Sequence, residues 1–466
     1  MKNQWANFGL DLHLGVAPTR RTKSLEEALR SAIRSGRLGA GTRLPASRVL
    51  AADLGMARNS VAEVYGQLVA EGWLLARAGS GTWVSGLPAG AAGSALTPPT
   101  ARLALDLRGG IPDASTFPRS EWSSAARRAI NAASADSFGY QAAQGVDRLR
   151  DILAEYLART RGVFATPDDV FIAHGFGDLL AVVCRALRAS GARRVAVEEY
   201  GHAAHRAIIA AAGLTVIPIA VDDDGAVVTE LDAGGADAVL LTAAHQFPTG
   251  VPLSASRRIE LIQWAERTDG LVIEDDYDGE FRYDRRSIGA LQALAPQHVI
   301  YAGTASKSLA PAVGLAWGVI PDRLMPGLVE QRTLLGSTAD VLAQITLAEF
   351  MRGHQYDRHL RQQRARYRNR REELERTFTA LVPGTRISGL SAGLHCLVEL
   401  PPGVLEADVT VEAAQHGLSF EGLSTYLPEG RLASRAPAMV VGYGAPQQRY
   451  YPAALRAAVS AIMRAV

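Results

Sequence analysis

Residues 18–86 place apolar and polar positions in two rhythms. Leu25, Leu29 and Ile33 recur at helical spacing behind Ser24, with Glu27 three residues on. That pattern predicts an amphipathic helix over 24–34, capped by Ser24 and stopped by the glycines at 36, 39 and 41. A second helix is expected over 47–54, ended by Gly55. A third, over 58–71, turns Val61, Val64, Tyr65, Leu68 and Val69 inward. Two helices joined by a short turn at Gly55 have the spacing of a helix-turn-helix. Residues 73–85 then read strand, glycine-containing turn, strand, which is a β-hairpin wing.

Residues 87–104 break both rhythms. The run from Gly86 to Thr100 is rich in Ala, Gly and Pro and carries no charge, so it reads as an interdomain linker. From 105 to 466 short apolar runs alternate with helical patterns. The expected strands are 194–198, 214–219, 238–242, 271–274, 299–301 and 316–320, with helices such as 179–189 and 257–267 between them. That alternation predicts an α/β domain with a largely parallel sheet. A basic stretch over 356–376, mixed with Glu372, Glu373 and Glu375, reads as a solvated helix. It precedes a smaller α+β portion with strands expected at 394–400 and 439–443.

Composition narrows the class. The chain is 48% hydrophobic and 21% charged, as soluble globular proteins are. No apolar run reaches the ~18 residues of a membrane span, and the N-terminus lacks the apolar core of a signal peptide. Cys184 and Cys396 have no metal-ligand spacing, so a reduced cytoplasm is expected, with no membrane and no metal. Charge is uneven. Residues 1–86 hold eleven Lys/Arg against six Asp/Glu, so +5, which leaves −3 for the rest of a +2 chain. A basic small domain suits a polyanion. Arg58, Asn59 and Ser60 open the third helix, where side chains reach base edges. Arg43, Arg48 and Arg77, with Ser47 and Gly79, are placed for the backbone of double-stranded DNA.

The segment resembles the GntR family of winged helix-turn-helix DNA-binding domains. The matching residues run Gly41-Thr-Arg-Leu-Pro-Ala-Ser-Arg48, Leu50-Ala-Ala-Asp-Leu-Gly55, Arg58-Asn-Ser-Val61, Tyr65, Leu68, Glu71-Gly72 and Gly79-Ser-Gly-Thr82. The competing reading is a three-helix protein-docking module.

Candidate chemistry centres on Lys307. The chain has 49 Lys and Arg, yet only Lys2, Lys23 and Lys307 are lysines. An arginine cannot form an imine. A lone amine in Gly303-Thr-Ala-Ser-Lys307-Ser-Leu-Ala-Pro311, after an apolar strand, is a candidate Schiff-base lysine. Thr304, Ser306 and Ser308 could hold a phosphate beside it. His174-Gly-Phe-Gly177 opens a helix whose free N–H groups could bind a phosphate. Ile273-Glu-Asp275-Asp-Tyr277-Asp-Gly-Glu-Phe281 follows a buried strand. A carboxylate there could pair with a pyridinium nitrogen; the alternatives are metal binding or a solvated turn. His245-Gln-Phe-Pro-Thr-Gly250 is a polar turn.

Together these residues resemble fold-type-I aminotransferases, and more closely their regulatory relatives, the MocR family. The marks are Gly110-Ile-Pro-Asp113, Phe117-Pro118, Tyr140 with Gly145 and Leu149-Arg150, Arg161-Gly-Val163, residues 245–250, 274–281 and 303–311, and Arg358-His-Leu-Arg361 with Tyr367 and Arg370-Arg371. The resemblance implies a winged helix-turn-helix linked to an aminotransferase-like domain that binds pyridoxal 5′-phosphate (PLP). It implies Lys307 as the Schiff-base lysine, Asp275 at the pyridine nitrogen and Tyr277 at the phenolic oxygen. It also implies phosphate contacts from Gly175, Phe176, Gly177, Thr304 and Ser306, and from Tyr140 of a partner in a homodimer. The implied function is a cytoplasmic regulator that binds promoter DNA and senses PLP or an amino compound. The alternative is an active aminotransferase with a fused DNA-binding domain.

Three departures stand out. Gly314 stands where the family carries a phosphate-gripping Arg, which should weaken PLP binding by ~1.5–3 kcal/mol. Tyr200-Gly-His202 replaces the usual Pro-Gly-Tyr, so His202 either stacks on the ring or packs. The substrate-carboxylate Arg would fall near Val440 and is absent; Arg431 or Arg435 would have to substitute, or are ordinary loop arginines.

Overall fold

Apolar faces that repeat every three to four residues need a partner surface, and the first three helices supply it to one another. The computed structural model describes residues 21–77, 80–86, 105–283, 288–336 and 338–466. They form two compact units that part within the 87–104 stretch; this stretch, residues 18–20 and Gly79 lie outside the described residues.

In the first unit α1 (Arg21–Arg34), α2 (Ser47–Leu54) and α3 (Arg58–Ala70) enclose Leu25, Leu29, Leu50, Val61, Val64 and Leu68. A short strand, β1 (Arg43–Leu44), joins the wing strands β2 (Leu74–Arg77) and β3 (Gly81–Val84) in the order β1-β3-β2. Gly55 ends α2 with φ +60°, a left-handed turn that a β-carbon would oppose. The buried Tyr65 hydroxyl donates to Pro45 O at 3.0 Å, tying α3 to the segment before α2. One expectation is corrected: α1 extends back to Arg21, so Ser24 lies inside the helix rather than at its cap.

The second unit begins with β4 (Leu105–Asp106), α4 (Arg119–Ala132) and α5 (Asp147–Arg161). β5 (Val170–Ala173), α6 (Phe176–Ala189), β6 (Arg194–Glu198), α7 (Ala203–Ala211) and β7 (Thr215–Ile219) follow. A hairpin of β8 (Val221–Asp222) and β9 (Gly225–Ala226), then α8 (Glu230–Gly234), leads to β10 (Ala238–Leu241), α9 (Ala255–Thr268), β11 (Leu271–Asp275) and β12 (Val299–Thr304). The one-turn α10 (Ala305–Ser308) precedes β13 (Ala316–Val319).

The central sheet has seven strands in the order β5-β13-β12-β11-β10-β6-β7. β12, β11, β10, β6 and β7 run parallel, whereas β13 is antiparallel to both its neighbours. Its strands are apolar on both faces because helices cover both. Two cores result, one including Leu179, Val183, Val195 and Ile273 and the other Val239, Leu261, Trp264 and Val272.

α11 (Met325–Leu335), α12 (Val341–Arg352) and the long α13 (Gln355–Leu381) lead to the C-terminal portion. There β14 (Arg386–Ser388), β15 (His395–Glu399), α14 (Glu406–Gln415), β16 (Leu418–Ser419), β17 (Glu421–Gly422), β18 (Ala438–Gly442) and α15 (Tyr451–Ala465) form an α+β layer around a β14-β15-β18-β17 sheet.

The reading of 356–376 as a solvated helix is corrected. One face of α13 is buried, including Arg370 and Arg371. Arg370 bonds Asp113 Oδ2 at 3.2 Å and Tyr443 O at 3.0 Å, and Arg371 bonds Glu375 Oε1 at 2.6 Å.

Candidate cofactor cleft and nucleic-acid interface

In a parallel sheet the C-terminal strand ends, where backbone groups leave the ladder, are where ligands are held. Four such ends converge here. Glu198 closes β6, Thr242 follows β10, Asp275 closes β11 and Thr304 closes β12. With Lys307 they line a cleft of about 790 Å³ including its open mouth. Tyr277, His202, Phe176 and Ser306 line it too, as do Tyr200, His205, Arg206 and Phe247.

Lys307 is placed by α10. Thr304 Oγ1 accepts from Ser306 N at 3.1 Å, starting that turn straight off the strand. Burial pulls the Lys307 amine below its ordinary range, and the charges of Asp275 and Asp278 oppose this. The acidic segment is a buried turn, not a solvated one, and its carboxylates are allotted separately. Glu274 accepts from Leu291 N at 2.9 Å, Asp276 from Arg161 and from the Tyr301 hydroxyl at 2.7 Å, and Asp278 Oδ2 lies 2.8 Å from His245 Nδ1. Asp275 differs: its Oδ1 is buried with no hydrogen-bond partner. Burial drives this carboxyl well above the carboxylate range, against the pull of Lys307. A buried oxygen left unpaired costs ~1–3 kcal/mol, so a donor from a ligand is what it lacks. The residues at this end therefore fit a protonated pyridine ring.

The remaining expected contacts are distributed as follows. The Tyr277 hydroxyl faces His245, 3.1 Å from Nδ1 and from the backbone O. His202 stacks on Phe247 at 4.2 Å between centroids and 17° between planes. Burial lowers its pKa to about 4 and that of His205 to about 3. Gly175 is the N-cap of α6, and Gly177 lies in its first turn. Tyr140 is fully exposed and lies outside the cleft lining.

Arg431 bonds Glu199 Oε2 at 2.9 Å, and Arg435 bonds Asp223 Oδ1 at 2.7 Å. Val440 is buried in β18. His245, Asp278 and His395 form a buried group with ligand atoms within 4.8 Å of one another, where no metal was expected. The sequence reading missed Glu198, Thr242, His205, Arg206 and Phe247; the strand-end rule would have found Glu198 and Thr242.

On the first unit Arg58, Asn59 and Ser60 form the first turn of α3, and Ser47 and Arg48 open α2. Arg43 and Arg77 flank the wing's Trp83, at 5.6 and 5.5 Å from its ring centre, and Arg43 also donates to Ser80 O at 2.7 Å. Arg43, Arg48, Arg58, Asn59 and Arg77 are exposed; Ser47 and Ser60 are half-buried.

Comparison with known proteins accounts for both units. Residues 21–84 match the family of bacterial regulatory proteins of the gntR type, and residues 107–423 match aminotransferase class I and II. The probable rhizopine catabolism regulatory protein MocR of Rhizobium meliloti is 33% identical, with 86% of each chain covered. The chain belongs to the MocR family of HTH-type transcriptional regulators. A pyridoxine biosynthesis regulator of Corynebacterium glutamicum, PdxR, is 32% identical over 88% of this chain and 89% of its own. The regulator TauR of Rhodobacter capsulatus is 30% identical over 85% and 87%. An archaeal alanine:glyoxylate aminotransferase shares the fold of the large unit, with TM-score 0.69 and 22% identity over 78% of this chain and 91% of that one. The aminotransferase class of a MocR protein's large unit implies PLP. Among the described residues no helix is long and apolar enough to cross a membrane.

Proposed function

We propose that the large unit holds PLP at Lys307 and couples its occupancy, or that of an amino compound exchanged onto it, to promoter binding by the winged helix. The observation that carries this reading is the unpartnered Asp275 Oδ1 in a cleft lined by the one lysine of the large unit. When bound, the cofactor supplies an aldehyde and an electron-withdrawing pyridine ring. Lys307 Nζ is the amine that would hold the cofactor through that aldehyde, and its burial favours the neutral nucleophile. Asp275 holds a proton on the ring nitrogen. Tyr277 donates to the phenolic oxygen, and His202 covers a ring face. Thr304, Ser306 and the first N–H groups of α6 (Phe176 and Gly177, after Gly175) hold the phosphate. Gly314 makes that grip weaker than a guanidinium would. The full exposure of Tyr140 suits a residue completing the cleft of a second subunit in a homodimer.

Regulation is favoured over turnover because Arg431 and Arg435 are already paired with carboxylates and Val440 is buried. A substrate α-carboxylate therefore has no ready guanidinium on that side. The DNA face is assigned to Arg58, Asn59 and Ser60 for bases and to Arg43, Ser47, Arg48 and Arg77 for phosphates.

The test is an absorbance spectrum of the full-length protein with added PLP, followed by borohydride and peptide mapping. A new band near the visible and a reduced adduct on Lys307, both absent from Lys307→Ala, are expected. Absence of the adduct from the parent protein overturns the reading. Promoter affinity that is identical with and without PLP overturns the coupling.

A further inference from the structure

We infer that His174 takes over, toward the cofactor phosphate, the place left by the missing arginine at 314. This rests on the reading of the cleft as a PLP site. Gly314 sits at φ +62°, and a β-carbon built on it would lie 2.7 Å from His174 Cε1, 3.2 Å from Nδ1 and 3.3 Å from Nε2. The imidazole therefore fills the space through which any side chain at 314 would have to grow. The two positions are exchanged: bulk and donor come from the turn between β5 and α6, not from the loop after Lys307.

His174 is not itself among the residues lining the cleft, but its place in the chain puts it beside the phosphate end. His174 is two residues before the first residue of α6, and Phe176, that first residue, lines the cleft. His174 N donates to Asp178 Oδ2 at 2.8 Å, which holds its backbone against the helix end. Neither ring nitrogen has a hydrogen-bond partner among the described residues, and the side chain is exposed.

Asp178, in the same first turn, would repel a phosphate if its charge were uncompensated. It is held by the buried Arg332, whose Nη1 and Nη2 donate to Oδ1 and Oδ2 at 3.0 and 2.6 Å. The helix end is thus left net attractive to an anion. The other phosphate donors assigned above are backbone N–H groups and hydroxyls, all neutral. An imidazole presents at least one N–H donor in either protonation state, so His174 reaches an anion without needing to be charged.

The experiment compares two aldehydes on the full-length protein: PLP, and pyridoxal, which has the same ring and no phosphate. Spectral titration gives an affinity for each. His174→Ala is expected to weaken PLP roughly tenfold or more and to leave pyridoxal unchanged. His174→Asn keeps a side-chain donor and should recover most of the PLP affinity. Ligand-free melting curves verify folding; if the alanine variant does not fold, His174→Gln against His174→Leu repeats the comparison.

Equal loss for both aldehydes, or no loss for either, overturns the inference while leaving Lys307 as the cofactor lysine. A parent protein that takes up neither aldehyde on Lys307 overturns the cleft reading itself, and this inference with it.

Discussion

Arg161 Nε donates to Asp276 Oδ2 at 2.6 Å and Arg161 Nη2 to Asp276 Oδ1 at 3.0 Å, with both side chains closed off from solvent. Arg161 is the last residue of α5, and Asp276 directly follows Asp275. The pair, with the Tyr301 hydroxyl, therefore pins the turn that carries the candidate ring-binding carboxylate. Breaking a buried pair strands the remaining charge at a cost of about 3–5 kcal/mol. Arg161→Met should lower unfolding stability by that amount in urea titrations. Arg161→Met with Asp276→Leu should recover part of it, because no lone charge is left. A single variant as stable as the parent would show that the pair holds nothing in place.

Asp275 predicts the opposite balance. Its Oδ1 is unpartnered and burial opposes its charge, so the ligand-free protein bears a cost that, on the proposed function, serves binding. Asp275→Asn should melt at or above the parent temperature without ligand. It should also lose roughly tenfold or more of its PLP affinity. Calorimetry and spectral titration measure the two halves separately. A ligand-free variant that melts well below the parent would make Asp275 a structural residue.

Much of this was legible in the chain. Gly55 between two apolar periodicities gave the helix-turn-helix, and the apolar runs gave six of the seven central strands. The direction of β13 was not read, although a physical signal existed. The connection from Thr304 to Ala316 contains only the one-turn α10 and a further short turn, too little for a right-handed crossover to a parallel neighbour. β5 escaped because four apolar residues between a turn and a helix look like either element. The buried arginines of α13 were hidden for another reason: Arg370 meets Asp113 from the far end of the domain, and no local pattern announces such a partner. At the cleft, Lys307 stood out by rarity. Glu198 did not, since one carboxylate at a strand end resembles any other until the strands are placed side by side.

Glu198 leads to a pH prediction. Burial raises its pKa from 4.5 to about 7, against hydrogen bonds from Thr242. The folded protein then keeps a proton that the unfolded chain releases. The associated stability is fully present below about 4.5 and is lost as pH rises through about 7. Glu198→Gln can still accept both Thr242 bonds and has nothing to titrate. Its stability relative to the parent should grow as pH is raised across that window, by at most about 1.4 kcal/mol per pH unit. Glu274 shifts in the same sense to about 7, so the variant flattens the parent's slope without abolishing it. A difference that stays constant with pH would mean Glu198 is ionised throughout.

The proposed DNA face predicts two kinds of contact that salt can tell apart. Arg58 begins α3 and is assigned to base edges, whereas Arg48, the second residue of α2, is assigned to the backbone. Arg58→Ala should cost about 1–3 kcal/mol on the preferred promoter and much less on unrelated DNA. Its main loss is therefore specificity. Arg48→Ala should weaken both DNAs alike and reduce the slope of log affinity against log salt by about 0.9. Fluorescence anisotropy at several salt concentrations gives both quantities from one series. If binding by the parent protein showed no salt dependence, the first unit would dock protein rather than DNA. If the two variants behaved alike, the division between base and phosphate contacts would be wrong.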